Sequence, residues 1–201
     1  MRSHSIHPEN THVRKHQLSD KLTYDILQGS VEVDSQPREL QEFNSALVRV
    51  VGDDHSDELK RICDCLQEAQ KYAANQLQES IISMYQQSFR SGDIEAYKES
   101  QRMWVKDQQP SVEAIFGFVE PYRDPFGMRS EFEGLVAVVD KNETKTLTKL
   151  VENSAKFIRR LPWAENSAEN DGKGPFEKTL FQSPDFTSLH SKIPAQLFRL
   201  Y

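Results

Sequence analysis

Apolar residues recur every three or four positions from residue 56 to about residue 91, which is the spacing of one face of an α-helix. They are Leu59, Ile62, Cys63, Leu66, Ala69, Ala73, Leu77, Ile81, Met84 and Tyr85. Asp54 or Ser56 is placed to cap the start, and Gly92 stands where a glycine commonly ends a helix. Because the span is long, we expect a break near Asn75 that divides it into two helices.

A third helix is predicted directly after this pair. Asp93 is in position to cap a helix from residue 94 to residue 106, and Pro110 stands beyond its end. The helical region therefore covers residues 56–107.

The pattern changes to that of strands after the third helix. β-branched and aromatic residues from 112 to 119 favour a strand, and the continuous apolar run from 135 to 139 predicts a strand that is buried on both faces. Between them, the Arg-Asp-Pro-Phe-Gly sequence at 123–127 is typical of a turn. We expect a strand-rich segment at about 112–139.

The remaining regions are more polar. Residues 1–40 form a polar lead, a helix is predicted over 144–160, and residues 162–190 have the Asn, Glu, Gly and Pro content of a loop. The predicted fold class is α+β and helix-dominated, with its short strand-rich segment at about 112–139.

Composition limits the classes of function. The chain has 201 residues, of which 37% are hydrophobic, and a net charge of −6, so a nucleic-acid or anionic-membrane partner is not expected. Mean hydropathy is −0.68 and no apolar run approaches the length of a membrane span. Cys63 and Cys65 would point to different faces of a helix and could not pair. With no disulfide framework and no signal-peptide pattern, we expect a cytoplasmic protein.

Six sequence blocks stand in a fixed order along the chain: KYAANQ, SFRSGDIEAYKESQRMWVKDQQPSVEAIFGFVEPYRDPFG, EFEGLVAVVDK, LPW, FEK and PDFTSL. In this order and spacing they resemble the dipeptidyl peptidase III family, zinc exopeptidases that remove dipeptides from peptide N-termini. The resemblance implies that residues 1–190 are the central part of such a peptidase domain and an incomplete part of its two-lobed fold. Residues 191–201 form a tail that departs from the family pattern.

The metal-binding motifs of the family are absent from this sequence. The resemblance implies zinc in the full-length enzyme, held by an HExxxH motif and an EExxAE-type motif. None of the six histidines here is followed by Glu, and no Glu-Glu pair occurs. His12 and His16 could chelate an ion on a helix but lack a third ligand, and Cys63 with Cys65 is a weaker candidate still. We therefore expect no metal bound by this chain.

The E-x-Y-R-D-P-F-G motif of the family matches Glu120 and Tyr122. The resemblance implies that Glu120 binds the α-ammonium of an oligopeptide substrate and that Tyr122 is catalytic, donating its hydroxyl to the oxyanion. Pro121 favours extended backbone at Glu120, which would project both side chains to one side with Cα atoms about 6–7 Å apart. Without the resemblance, Tyr122 would be read as a core aromatic residue and Glu120 as a turn carboxylate.

Two functions follow from these observations. The first is a fragment of a zinc metallo-exopeptidase that releases N-terminal dipeptides from oligopeptides. It would contribute substrate-cleft residues and be inactive alone, because the zinc-binding and general-base motifs are missing. The alternative is a non-catalytic helical interaction module that retains a peptide-binding surface.

Overall fold

A computed structural model of the chain describes residues 6–33, 37–40, 43–108, 110–119, 131–162 and 189–190. They divide into two compact units. The first contains the described residues up to 108 with the strand ends at 118, 119, 131 and 132, and the second contains 110–117 and the described residues from 133 onward. Within the described part of the chain, no helix has the length and apolar character that a membrane span requires.

The first unit begins with a four-stranded sheet in the order β1-β2-β4-β3. The strands are β1 (Thr11–Leu18), β2 (Lys21–Gly29), β3 (Arg38–Glu39) and β4 (Leu47–Asp54). β1 and β2 are antiparallel, β2 and β4 are parallel, and β3 and β4 are antiparallel. A short 3-10 helix, Pro8–Asn10, precedes β1.

The described residues of the polar lead contain the strands β1 and β2, which the sequence analysis does not predict. Ser19 and Asp20 connect β1 to β2 with φ values of 48° and 66°. Two residues with positive φ match the right-handed twist of paired strands and make a tight hairpin turn. The sequence does not predict this hairpin because β1, THVRKHQL, is mostly polar and lies at the edge of the sheet, where charged side chains are usual.

A small apolar core covers one face of this sheet. Ile26 of β2 and Val50 of β4 are buried together with Ile6, and Leu40 and Val48 pack against them. Ile26 and Val50 are direct partners across the parallel strand pair. Cross-strand pairs of this kind stabilise a sheet and fix its register.

The opposite face is organised around a buried carboxylate. Asp25 has no exposed surface, and its neighbours across the sheet are Arg14 on β1 and Arg49 on β4. Arg49 donates from Nε to Asp25 Oδ1 at 2.8 Å and from Nη2 to Oδ2 at 3.0 Å, and Arg14 Nη2 donates to Oδ2 at 3.1 Å. Desolvation by burial opposes the charge on Asp25, but the hydrogen bonds from Arg49 and Arg14 outweigh it and lower the pKa of Asp25.

Three helices follow the sheet in the first unit: α1 (Ser56–Gln70), α2 (Gln76–Ser91) and α3 (Ile94–Trp104). The predicted break at Asn75 is confirmed, and its side chain caps α2 by accepting from the Gln78 N–H. Gly92 ends α2 with φ 74°, and Asp93 caps α3 by accepting from the Glu95 N–H. Both are as the sequence predicts.

The start of α1 differs from prediction. The N-cap residue is His55, in the left-handed conformation and without a side-chain cap, rather than Asp54 or Ser56. Asp54 still belongs to β4, so the strand runs almost directly into the helix. As expected, Cys63 and Cys65 are free and lie on different faces of α1, one buried and the other exposed.

The second unit contains most of β5 (Val112–Val119) and β6 (Glu131–Val139), with α4 (Lys141–Glu152), α5 (Ser154–Ile158) and β7 (Leu189–His190). The three strands form one sheet in the order β5-β6-β7, which confirms the strand-rich segment at about 112–139. The predicted helix at 144–160 is present as two helices and begins earlier, because Asp140 caps α4 by accepting from the N–H groups of Asn142 and Glu143.

The expectation that β6 is buried on both faces is wrong. Ala137 is 2% exposed, whereas Val136 is 36% exposed and Val138 is 45% exposed. One face of the strand is therefore packed and the other is not. In the predicted loop at 162–190, residues 163–188 lie outside the described residues, as does the tail at 191–201.

We predict that Asp25→Asn lowers the free energy of unfolding by about 3 kcal/mol at neutral pH, because it leaves the mostly buried Arg49 guanidinium without its charged partner. Because the pKa of Asp25 is lowered in the folded state, its ion pairs contribute fully to stability at pH values above its ordinary pKa of 3.8. This contribution is lost as the pH falls through the pKa of the folded state. Urea unfolding from pH 7 down to about pH 2 measures both effects, because the loss lies below pH 3.8. Asp20→Asn, the same change in an exposed turn, is the control and should be nearly neutral. Equal losses in the two variants would contradict the prediction.

A second prediction concerns Gly92, whose φ is positive and whose added Cβ would lie 2.9 Å from the Gly29 carbonyl oxygen. Gly92→Ala should therefore cost about 2 kcal/mol of stability, from backbone strain and overpacking together. Gly29→Ala is the matched control, since its nearest contact would be 3.6 Å. Urea melts should show a clear loss only at Gly92, and similar melts for both variants would disprove the steric account.

Candidate functional site

β5 and β6 lie on either side of the segment that the sequence singles out. The Val139 N–H donates to the Ser111 carbonyl at 3.1 Å, and a Cβ on Gly134 would contact the Phe116 ring. From Gly134 to Val139 on one strand, the neighbouring residue on the other moves back from Phe116 to Ser111. The two strands are therefore antiparallel. Residues 120–130 are thus the connection between two paired strands.

The candidate residues Glu120 and Tyr122 belong to this connection and lie outside the described residues. Their predicted roles remain predictions. What the structure does describe is the backbone that leads into the segment at Val119 and out of it at Glu131.

Aromatic side chains surround the strand ends that belong to the first unit. Phe118 and Phe132 meet edge to face with ring centroids 5.3 Å apart. Phe118 also meets Tyr97 of α3 at 5.2 Å, and Phe132 meets Phe89 of α2 at 5.6 Å. Edge-to-face pairs each contribute about 0.5–1.5 kcal/mol beyond the area they bury. This group, which we call the aromatic cluster, fixes both ends of the connection on α2 and α3.

The cluster is completed by Tyr85, which is 1% exposed and lies 6.4 Å from both Phe89 and Tyr97 between ring centroids. The Tyr85 hydroxyl accepts a hydrogen bond of 2.8 Å from Gln101 Nε2, which satisfies its buried oxygen. Burial raises the pKa of Tyr97, and a backbone hydrogen bond at Phe118 only partly offsets it. Tyr97 is thus a neutral structural group at ordinary pH.

A second group of polar side chains gathers where β4 passes into α1. His12 Nδ1 lies 2.7 Å from Asp54 Oδ2, and His55 Nε2 lies 3.9 Å from the same oxygen. The two imidazole rings are 5.6 Å apart in an edge-to-face arrangement. The nitrogen and oxygen atoms that each residue would offer to a metal lie within 4.8 Å of one another. We call His12, Asp54 and His55 the histidine–aspartate cluster.

A β-bulge is the reason that Asp54 faces His12. Leu27 pairs with Val51, but two residues later Gly29 pairs with Asp54, so β4 carries one extra residue. Asp53 occupies the bulge with φ 74°. An extra residue reverses the alternation of side chains beyond it and can re-aim one of them. Without the bulge, Asp53 rather than Asp54 would share the face of His12.

The structure changes the interpretation of His12 and His16. The sequence allows them to chelate an ion as a pair four residues apart on a helix, but they lie on β1 and have different partners. His12 lies beside Asp54, whereas His16 Nε2 lies 2.8 Å from Asp25 Oδ2 without the geometry of a hydrogen bond. His55, which is distant from His12 in the sequence, places a second imidazole beside Asp54.

The sequence contains one signal for the histidine–aspartate cluster, although the same residues also fit the start of a helix. Asp53-Asp54-His55 stands between an apolar strand pattern and the first helix, a position where polar side chains converge. The sequence analysis predicts only a helix cap here, at Asp54 or Ser56. The position of His12 beside these residues depends on the β1–β2 hairpin, which the polar sequence of β1 does not predict.

Comparison with known proteins identifies relatives that cover most of this chain. A sequence model of Peptidase family M49 matches residues 1–192. Dipeptidyl peptidase 3 of Dictyostelium discoideum is 39% identical over 189 residues, which are 94% of this chain and 26% of that protein. Dipeptidyl peptidase 3 of Rattus norvegicus and that of Homo sapiens are each 40% identical over 148 residues, 74% of this chain and 19% of theirs.

Among solved structures, DPP III from Caldithrix abyssi is 23% identical with a TM-score of 0.46, and the similarity covers 67% of this chain and 26% of that one. Dipeptidyl-peptidase III from Corallococcus sp. strain EGB is also 23% identical, with a TM-score of 0.40 over 63% and 23% of the two chains. The chain spans about a quarter or less of the length of these relatives. The family match over residues 1–192 and the relatives at about 40% identity show that the chain belongs to peptidase family M49.

Proposed function

We propose that these residues form part of the substrate cleft of a zinc-dependent dipeptidyl peptidase that acts on oligopeptides in the cytosol. The observation that carries the proposal is the alignment of the chain, over 94% of its length, with a protein named Dipeptidyl peptidase 3. The β5–β6 connection contains the E-x-Y-R-D-P-F-G motif, and the aromatic cluster anchors both of its ends.

The donor groups of this chain do not fit the catalytic zinc that the family implies. Such a site takes about three protein ligands and keeps one position open for water. Neither the HExxxH motif nor a Glu-Glu pair occurs in the 201 residues. We propose that the zinc ligands and the general base come from other parts of the longer family protein, and that this chain supplies substrate-binding groups.

Two side chains would provide those groups. The Glu120 carboxylate would hold the α-ammonium of the peptide by a charge-assisted hydrogen bond, which fixes the position of the N-terminus. The Tyr122 hydroxyl would donate to the carbonyl oxygen that becomes negative during attack on the second peptide bond. Two anchors about 6–7 Å apart match the span of two extended residues, so their spacing would select dipeptide release.

The alternative is a non-catalytic interaction module that retains a peptide-binding surface. The observation that favours it is that the first unit has its own buried residues, including Ile26, Val50, Tyr85 and Phe89. A unit with its own core could bind peptides through Glu120 without cleaving them.

We predict that the purified 201-residue chain hydrolyses no dipeptidyl-arylamide substrate, with or without added Zn²⁺, because both catalytic ligand motifs are missing. A fluorogenic assay measures this, with a full-length family enzyme as the positive control. Turnover that a chelator abolishes would disprove the proposal. Saturable binding of an unlabelled peptide without turnover, lost in Glu120→Gln, would favour the interaction module.

We predict that Tyr122→Phe, in a full-length enzyme carrying this segment, lowers kcat by about 10²–10³-fold with little change in KM, as removal of one oxyanion donor does. Tyr72→Phe is the matched control, since Tyr72 is 80% exposed in the turn between α1 and α2. A change in KM alone would show that Tyr122 binds substrate without assisting the reaction.

The same enzyme tests the role of Glu120. Glu120→Gln should mainly raise KM, because the ammonium contact exists equally in the ground state and the transition state. Glu152→Gln, at an exposed position near the end of α4, is the control for the loss of one charge. An unchanged KM for Glu120→Gln would rule out the ammonium contact.

A further inference from the structure

We propose that His12, Asp54 and His55 form a binding site for a divalent late transition metal ion such as Zn²⁺, held by two imidazole nitrogens and one carboxylate oxygen. The site would join strand β1 to the junction of β4 and α1 within the first unit. It departs from the sequence-based expectation that the chain binds no metal, because the structure brings three possible ligands together. It uses none of the residues to which the proposed peptidase function assigns a role.

The donor set is the first support. Two neutral imidazoles and one carboxylate are a common protein ligand set for zinc, with a water molecule completing four-coordination. Magnesium and calcium prefer oxygen ligands throughout, so the two histidines favour a late transition metal. The side chains of His12, Asp54 and His55 are 34%, 18% and 30% exposed, which leaves room for a water ligand and a path of entry.

The distances are the second support. A tetrahedral ion about 2.0–2.1 Å from each ligand separates neighbouring ligand atoms by about 3.3 Å. The present separations from Asp54 Oδ2 are 2.7 Å to His12 Nδ1 and 3.9 Å to His55 Nε2, one slightly short and the other slightly long. An ion would take the place of the proton now shared between His12 and Asp54. The required changes from these separations are about 0.6 Å each, which small side-chain rotations on the existing backbone would supply.

Electrostatics of the helix end would oppose a cation, since the N-terminus of α1 carries partial positive charge. Two carboxylates offset this, Asp54 itself and Asp57 in the first turn, while the Glu58 carboxylate pairs with Arg61 at 3.1 Å. His55 is held at the helix start in the left-handed conformation, while its carbonyl accepts from the Leu59 N–H at 2.9 Å. The backbone thus fixes the position of one imidazole before any ion arrives.

Isothermal titration of the full chain, without a histidine tag, tests the site with ZnCl₂ and with MgCl₂. We expect one Zn²⁺ per chain and no Mg²⁺ binding. Changing an outer-shell partner of a metal typically weakens binding by about 10–100-fold, so loss of a direct ligand in His12→Ala, His55→Ala or Asp54→Asn should cost at least about a hundredfold. His7→Ala and Asp53→Asn are matched controls that remove a neighbouring imidazole and a neighbouring carboxylate, and both should bind normally.

Histidine modification of the unaltered chain guards against variants that fail to fold. Diethyl pyrocarbonate followed by mass spectrometry should show that Zn²⁺ protects His12 and His55 but leaves His7 as reactive as before. A rise in melting temperature with Zn²⁺ is also expected in the unaltered chain and not in His12→Ala. Absence of Zn²⁺ binding, equal binding by all variants, or protection of His7 instead of the cluster would overturn the proposal.

Discussion

The buried charge of Asp25 is the interaction on which the N-terminal sheet depends. Its carboxylate receives hydrogen bonds from Arg14 on one neighbouring strand and from Arg49 on the other, so a single group connects three strands. An unpaired carboxylate at this depth would be strongly unfavourable, and any slip of the register by one residue would leave it so. Because Asp25 is buried, its ion pairs both stabilise the sheet and favour one register of its strands.

The register that Asp25 fixes also determines what lies at the end of the sheet. With Asp25 opposite Arg49, the bulge at Asp53 falls where it directs Asp54 toward β1. The helix that begins immediately afterwards adds His55 to the same place. His12 therefore lies beside Asp54 and His55, which are more than forty positions away in sequence. The polar sheet face, the inserted residue and the short strand-to-helix junction all contribute to this placement.

Local signals explain which parts of the fold were predictable. The ends of the helices were correct at Asn75, Gly92 and Asp93, because a cap or a positive φ depends on a residue and its near neighbours. β1 was missed since its side chains pair with charges on another strand, and no alternation of apolar residues results. The bulge at Asp53 was not predicted, because acidic residues just before a helix are also the usual pattern of helix capping. The roles of Glu120 and Tyr122 came from family resemblance and stay predictions.

The parallel pairing of β2 with β4 bears on the order in which the chain folds. β1 and β2 are joined by two residues, so their pairing closes a very short loop at small entropic cost. β4 must instead return past the whole connection from residue 29 to residue 47 before it can pair, and contacts of larger sequence separation form more slowly. The hairpin consequently offers a template in which Arg14 already faces Asp25, and Arg49 is the last of the two arginines to reach the carboxylate.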